Sequence, residues 1–146
     1  MRDNNVRTYD PTKIVVTWGP IIFLAFAAGT FLNITRKKGD IFESSTGADG
    51  SVDRINKQAR DFSITMTLKQ TSLTNDLLSA AMIIDMDFNT GKFPFVVKDL
   101  NGTSTFFAAQ AWIAKDPDDE DGDALGNREW RFDTGPATKI TGGNIL

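Results

Sequence analysis

The stretch DFSITMTLKQTSLTNDLLSAA, residues 61–81, decides the fold. Phe62, Ile64, Met66 and Leu68 alternate with Ser63, Thr65, Thr67 and Lys69, the period-two pattern of a strand with one buried and one wetted face. The wetted face carries small hydroxyls and one lysine. After Gln70 and Thr71, Ser72 or Thr74 can cap a short helix over about residues 73–83, with Asp76 in its first turn. Leu73, Leu77, Leu78 and Ala81 fall on one stripe, and a helix this short forms only by burying it.

Working upstream, Lys13 to Trp18 is β-rich, Gly19-Pro20 interrupts it, Ile21 to Leu24 resumes an apolar strand, and Thr30 to Arg36 reads as another. Between Gly39 and Asp61 the pattern is lost. A loop at about 39–61 is longer than compact domains usually hold, which makes it either a functional arm or a plain linker. Asp49-Gly50 followed by Val52 and Ile55 predicts a small hairpin at its tip, as in an arm that orders on a partner.

Downstream, Met82 to Phe88 drifts out of helical pattern and Asn89-Thr90-Gly91 marks a turn. Phe93, Phe95 and Val97 then alternate in a strand that Pro94 assigns to an edge or a strand start. Asn101-Gly102 predicts a tight hairpin leading into a long strand over Thr103 to Lys115. Asp116, Asp118, Asp119, Glu120, Asp121 and Asp123 make an acidic loop over about 116–126, and Asn127 to Thr134 alternates around Trp130 and Phe132 as the last substantial strand. The whole reads as mainly β: two packed antiparallel sheets, sandwich- or barrel-like, flanked by one short α-helix. No internal repeat is visible.

Composition narrows the chemistry. The chain has 146 residues, 40% of them apolar, which suits a single domain over 1–146. It has no histidine and no cysteine, which removes the commonest general base and metal ligand, thiol nucleophiles and disulfides together. An all-carboxylate site or a Ser/Lys dyad stays open in principle. No spacing supports either, there is no glycine-rich phosphate loop, and no catalytic residue is assigned. Aligning Gly122 with the glycine of a calcium-binding EF-hand puts Pro117 at the first ligand position and Arg128 at the last, so the acidic loop reads as solvated, with no metal and no cofactor.

The polar segment Met1 to Asp10 lacks the basic and apolar regions of an export signal. The apolar run Ile21 to Ala28 is too short to span a bilayer and reads as a buried strand, so no membrane segment is expected. Trp18, Trp112 and Trp130 each sit in strand-like alternation and read as core. Net charge is −3, unevenly spread: residues 1–38 carry six basic and two acidic side chains, residues 71–146 six and twelve. That asymmetry suits head-to-tail self-association. Basic residues neither cluster nor interleave with aromatics as a nucleic-acid groove requires.

In order, an early β hairpin around Val15 to Ile34, the loop Gly47-Ala48-Asp49-Gly50-Ser51-Val52, the phrase Ile64-Thr65-Met66-Thr67-Leu68-Lys69-Gln70-Thr71-Ser72 with Asn75 and Leu78-Ser79, and the Phe93-Pro94 strand with Asp99 and Gly102 resemble the tail tube protein of contractile-tailed (myovirus-type) bacteriophages, which is related in fold to type VI secretion tube proteins. The resemblance implies a structural virion protein, not an enzyme. It implies homo-hexameric rings stacked into a hollow tube, with strands joined across subunits into one inner barrel. Such closure removes exposed sheet edges. It further implies a tail sheath protein outside, tape-measure protein and then DNA passing through the lumen without specific binding, and terminator and baseplate proteins at the ends. Assembly would take place in the host bacterial cytoplasm.

In that picture Ser63, Thr65, Thr67 and Lys69 face the lumen, although Lys69 departs from a purely acidic wall that repels phosphate. Residues Thr46, Gly47, Asp49, Gly50, Val52, Asp53, Arg54, Lys57 and Arg60 form the inter-subunit loop. Its basic members are expected to meet the acidic contact loop 116–123 of a neighbour. Two other readings compete: the tube of a type VI-like or bacteriocin-type machine, and a monomeric β-sandwich binding module with exposed tryptophans and a calcium-binding acidic loop.

Overall fold

A computed structural model of the chain describes residues 6–143. After a 3-10 turn at Pro11–Lys13, whose first amides are capped by Asp10, the elements are β1 (Ile14–Trp18), β2 (Ile21–Ile22), β3 (Leu32–Arg36), β4 (Phe42–Thr46), β5 (Val52–Asn56), β6 (Phe62–Lys69), α1 (Thr74–Phe88), β7 (Phe93–Asp99), β8 (Thr105–Lys115), β9 (Asn127–Thr134) and β10 (Ala137–Ile140). The fold is mainly β, antiparallel throughout, in two sheets with a single helix. The larger sheet has eight strands in the order β2-β1-β7-β8-β9-β6-β3 with β10 added along β8, and the smaller is the ribbon β4-β5.

The large sheet bends over on itself. In a flat sheet β1 and β9, three strand steps apart, would be separated by about 14 Å. The Trp18 and Phe132 rings nevertheless meet edge-on at 5.2 Å, and Phe23 and Phe95 reach the same Phe132 ring at 5.8 and 5.3 Å. Interruptions of register in β8, between Ile113 and Lys115 and opposite Phe93 and Phe95, supply the bends. Strands β9 and β10 are one broken strand along β8: Thr134 pairs with Ala111, Gly135-Pro136 turns, and Ala137 pairs with Ala108. Phe62, Ile64, Met66 and Leu68 of β6 are fully buried in the core so enclosed, together with Trp18, Phe95, Phe106, Trp130 and Phe132. Buried Trp18 donates its indole N–H to Ala111 O at 2.9 Å, which keeps its one polar atom satisfied.

The helix differs from its sequence reading in three ways. It runs to Phe88, five residues beyond 83; Leu78, Ala81 and Met82 face the core, whereas Ile83, Ile84, Met86 and Phe88 point outward and hide the period. It stops at Asn89, which takes a left-handed φ of 56° and donates its N–H to Asp85 O. Of the two expected capping hydroxyls, Ser72 Oγ accepts the Thr74 N–H at 3.3 Å, and Thr74 caps nothing in the helix. Leu73 holds the cap position with no side-chain bond, whereas Ser72 Oγ donates to Leu24 O at 2.6 Å and Thr74 Oγ1 accepts the Leu24 N–H at 3.2 Å. Both hydroxyls thus anchor the helix start to the segment after β2, which buries Thr74 and Leu78 and leaves Leu73 and Leu77 exposed.

The β7–β8 hairpin exists, but not as a tight two-residue turn. Such a turn needs positive φ at Asn101, which Asn101 does not have. Strand β7 ends at Asp99 and β8 begins at Thr105, and the Asn101 side chain turns inward, fully buried. Its Oδ1 accepts the Asp10 N–H at 3.0 Å, and its Nδ2 donates to Asp10 O at 2.8 Å and to Asp99 Oδ1 at 3.1 Å. The turn therefore clamps the chain segment entering β1.

Candidate functional site

Alternation along β6 sends Ser63, Thr65, Thr67 and Lys69 to the face away from the core, the first three half-buried and Lys69 exposed. Register fixes their neighbours. Ser63 pairs with Asp133, Thr65 with Arg131, Thr67 with Glu129 and Lys69 with Asn127, while Thr35 and Asn33 of β3 flank Ser63 and Thr65 on the other side. This polar face therefore holds a row of alternating sign along β9, which the sequence reading passed over. The signal was present: Glu129, Arg131 and Asp133 are the residues that alternate with Trp130 and Phe132. Asp133 lies between two cations, its carboxylate 3.0 Å from Lys37 Nζ and 4.0 Å from Arg131 Nε.

Residues 39–61 form a projecting ribbon, not an irregular loop. Five residue pairs, from Phe42–Asn56 to Thr46–Val52, join β4 to β5, and every residue of both strands is exposed. An isolated two-stranded ribbon is marginal in water, and this one shows Ile41, Phe42, Val52 and Ile55 to solvent. Local chemistry holds its shape. At the tip, Asp49 Oδ1 accepts from Ser51 Oγ at 2.7 Å and Ser51 N–H at 3.0 Å, which lowers the Asp49 carboxyl below its ordinary pKa. Gly50, at φ 87°, completes the turn and needs to be glycine for that reason. The Arg54 guanidinium covers the Phe42 ring at 4.2 Å.

At the root, Lys38 and Lys57 each donate to the other's backbone carbonyl, Arg36 donates to Ala59 O at 2.5 Å, and Ala137 N–H bonds Arg60 O at 2.8 Å. The candidate arm residues are thus not one cluster. Thr46, Gly47, Asp49, Gly50 and Val52 sit at the tip with Asp53 and Arg54 just below it, whereas Lys57 and Arg60 belong to the root, about five strand residues or ~17 Å away.

The acidic loop turns back onto its own chain. Asp118 pairs with Lys115 at 3.2 Å, Asp121 with Arg128 at 3.8 Å, and Arg128 also donates to Glu120 O at 3.5 Å. Asp118 and Glu120 line a hollow with Lys115, Glu129, Arg131 and Thr67. The structure therefore brings the acidic loop and the polar β6 face together, which spacing alone does not predict. Among the described residues no group of three or more acidic side chains is placed to hold a metal ion, and no helix is long and apolar enough to cross a membrane. Trp18 and Trp130 are buried and Trp112 is half-buried, so no tryptophan platform lies open on the surface.

With this geometry in view, comparison with known proteins gives a consistent result. A chain of the anti-feeding prophage tube-terminating cap superposes with a TM-score of 0.60 at 14% identity over 96% of both chains. The fold is tail-tube related. A chain of the sheath–tube complex of the extracellular contractile injection system PVC, in its extended state, gives 0.60 at 15% identity over 91% of each chain, and a chain of a native gene transfer agent virion gives 0.58 at 11% over 92% of this chain and all of that one. In sequence, the chain is 30% identical over 107 residues to the structural protein ORF10 of Pseudomonas phage KPP10, a match covering 72% of this chain. That match spans 62% of the relative's length. No family model matches the chain.

Proposed function

We propose that the chain is a structural virion protein that forms the tail tube of a contractile bacteriophage tail, as hexameric rings stacked into a conduit for DNA. The observation that carries this reading is the pairing of a tail-tube-related fold over nearly the whole chain with 30% identity to a phage structural protein. The surfaces fit the role. A half-buried, hydroxyl-rich face with charges of both signs suits a bore that must not hold its cargo. The ribbon β4-β5, exposed along both strands and showing Phe42, Val52 and Ile55 to solvent, suits an arm that orders against the next subunit. On α1, Leu73, Leu77, Ile84 and Phe88 form a second, outward apolar stripe beside Asp76 and Asp87, a surface suited to a sheath protein.

A second reading has a specific observation behind it: likeness to the tube-terminating cap is as high as likeness to the sheath–tube complex. A terminator closes one ring and stops, whereas a tube protein continues from ring to ring. Electron microscopy of the purified chain at high concentration separates them. Hollow filaments support the tube subunit, single rings of fixed height the terminator, and a monomer under all conditions neither.

A further inference from the structure

Before the acidic loop is counted, cations outnumber carboxylates on the polar face. Lys69, Lys115 and Arg131 on the strands, with Lys37 just past the end of β3, stand against Glu129 and Asp133. Phosphate contacts with such cations supply nearly all non-specific affinity for DNA. Two further features offset them. Asp133, whose side chain is only 17% exposed, contacts Lys37 on one side and Arg131 on the other. The 116–123 loop brings Asp118 onto Lys115 and Glu120 into the hollow beside Arg131, and Arg128 moors that loop at Asp121 and Glu120.

We infer that Asp133 and the acidic loop form an intramolecular charge screen, which pairs Lys37, Arg131 and Lys115 of the polar face, leaving Lys69 at its end, so that the face does not bind polyanions. This rests on the reading of that face as the wall of the bore. Asp118 reaches a cation of the polar face, Lys115, whereas Asp121 holds the loop to Arg128 on the other face of β9. The arrangement also gives the loop's many carboxylates a use that needs no metal.

The test is binding of a mixed-sequence DNA duplex by fluorescence anisotropy, comparing the wild-type chain with Asp133→Asn and with the triple variant Asp118→Asn, Glu120→Gln, Asp121→Asn. The wild type shows no binding at about 50 mM monovalent salt. Both variants bind, and with two phosphate contacts released their affinity falls roughly tenfold between about 50 and 200 mM salt. Adding both Lys37→Gln and Arg131→Gln to Asp133→Asn removes the gain. The loop variant changes only exposed side chains, so it tests the screen even if Asp133→Asn fails to fold. Variants that melt like the wild type and acquire no binding overturn the screen, as does a gain that survives Lys37→Gln combined with Arg131→Gln. Tube formation is scored separately by electron microscopy. Tubes without any gain in binding overturn the screen alone, and a gain in a chain that never forms tubes upholds the screen and overturns the bore-wall reading.

Discussion

Replacing Phe132 by alanine tests whether the large sheet is folded over its core. Phe132 is fully buried on β9, and three rings from β1, the segment after β2, and β7 meet it at 5.2, 5.8 and 5.3 Å. Phe→Ala in a core typically costs about 3–5 kcal/mol, and each aromatic pair adds ~0.5–1.5 kcal/mol beyond area. Because the ring lies where the two halves of the sheet meet, the site cannot collapse around the void, so we expect the upper end, about 4–5 kcal/mol. For a chain of this size that lowers the melting temperature by roughly 10–20 °C. The control is Phe107→Ala on the neighbouring strand β8, where the side chain is 51% exposed and the expected cost is under about 1 kcal/mol. Urea denaturation followed by tryptophan fluorescence, with the slope m checked for constancy, gives both values. Equal costs for the two variants would refute the closed core.

Other perturbations have equally definite outcomes. A Cβ added at Gly91 collides with the Asp85 carboxyl group, which accepts the Gly91 N–H, so Gly91→Ala loosens the end of α1 and costs about 1–3 kcal/mol; an unchanged melting temperature contradicts this. Ser51→Ala removes the hydroxyl bond, the larger of the two that lower the Asp49 carboxyl, and keeps the backbone N–H bond, so its pKa rises part of the way back towards the ordinary carboxylate value in an NMR titration. Because the folded-state pKa of Asp49 is depressed, its contribution to the tip turn is present above the ordinary carboxylate value and is lost as pH falls through the folded one. Phe42→Asp combined with Ile55→Asp, both outside the core cluster, leaves the melting temperature within a few degrees and abolishes assembly; filaments formed at wild-type levels count against the arm.

Strand alternation made the fold legible. Phe62 to Lys69 shows both its faces in the sequence, and Trp130 and Phe132 mark the core side of β9, because burial on one face of a strand imposes a period of two. The end of α1 was not legible, since Ile83, Ile84, Met86 and Phe88 are apolar yet face outward and erase the contrast from which a helical period is read. Asn101 misled for a different reason. A polar residue beside glycine usually marks a tight turn, and nothing local shows that this amide is buried against the backbone of Asp10, 91 positions away. For the candidate site, the polar face of β6 could be read residue by residue. Its meeting with the acidic loop depends on register between β6, β8 and β9, a long-range property that spacing does not encode.

The proposed function requires that this chain assemble end to end around a hollow bore. Cryo-electron microscopy of the purified protein at high concentration, with and without preformed tail-tube ends as seeds, tests it most directly. The expected result is hollow filaments of stacked rings, with Ser63, Thr65, Thr67 and Lys69 on the inner wall and the β4-β5 ribbon seated on a neighbouring subunit. A chain that stays monomeric with and without seeds, or filaments in which the β6–β9 face points outward, would contradict it.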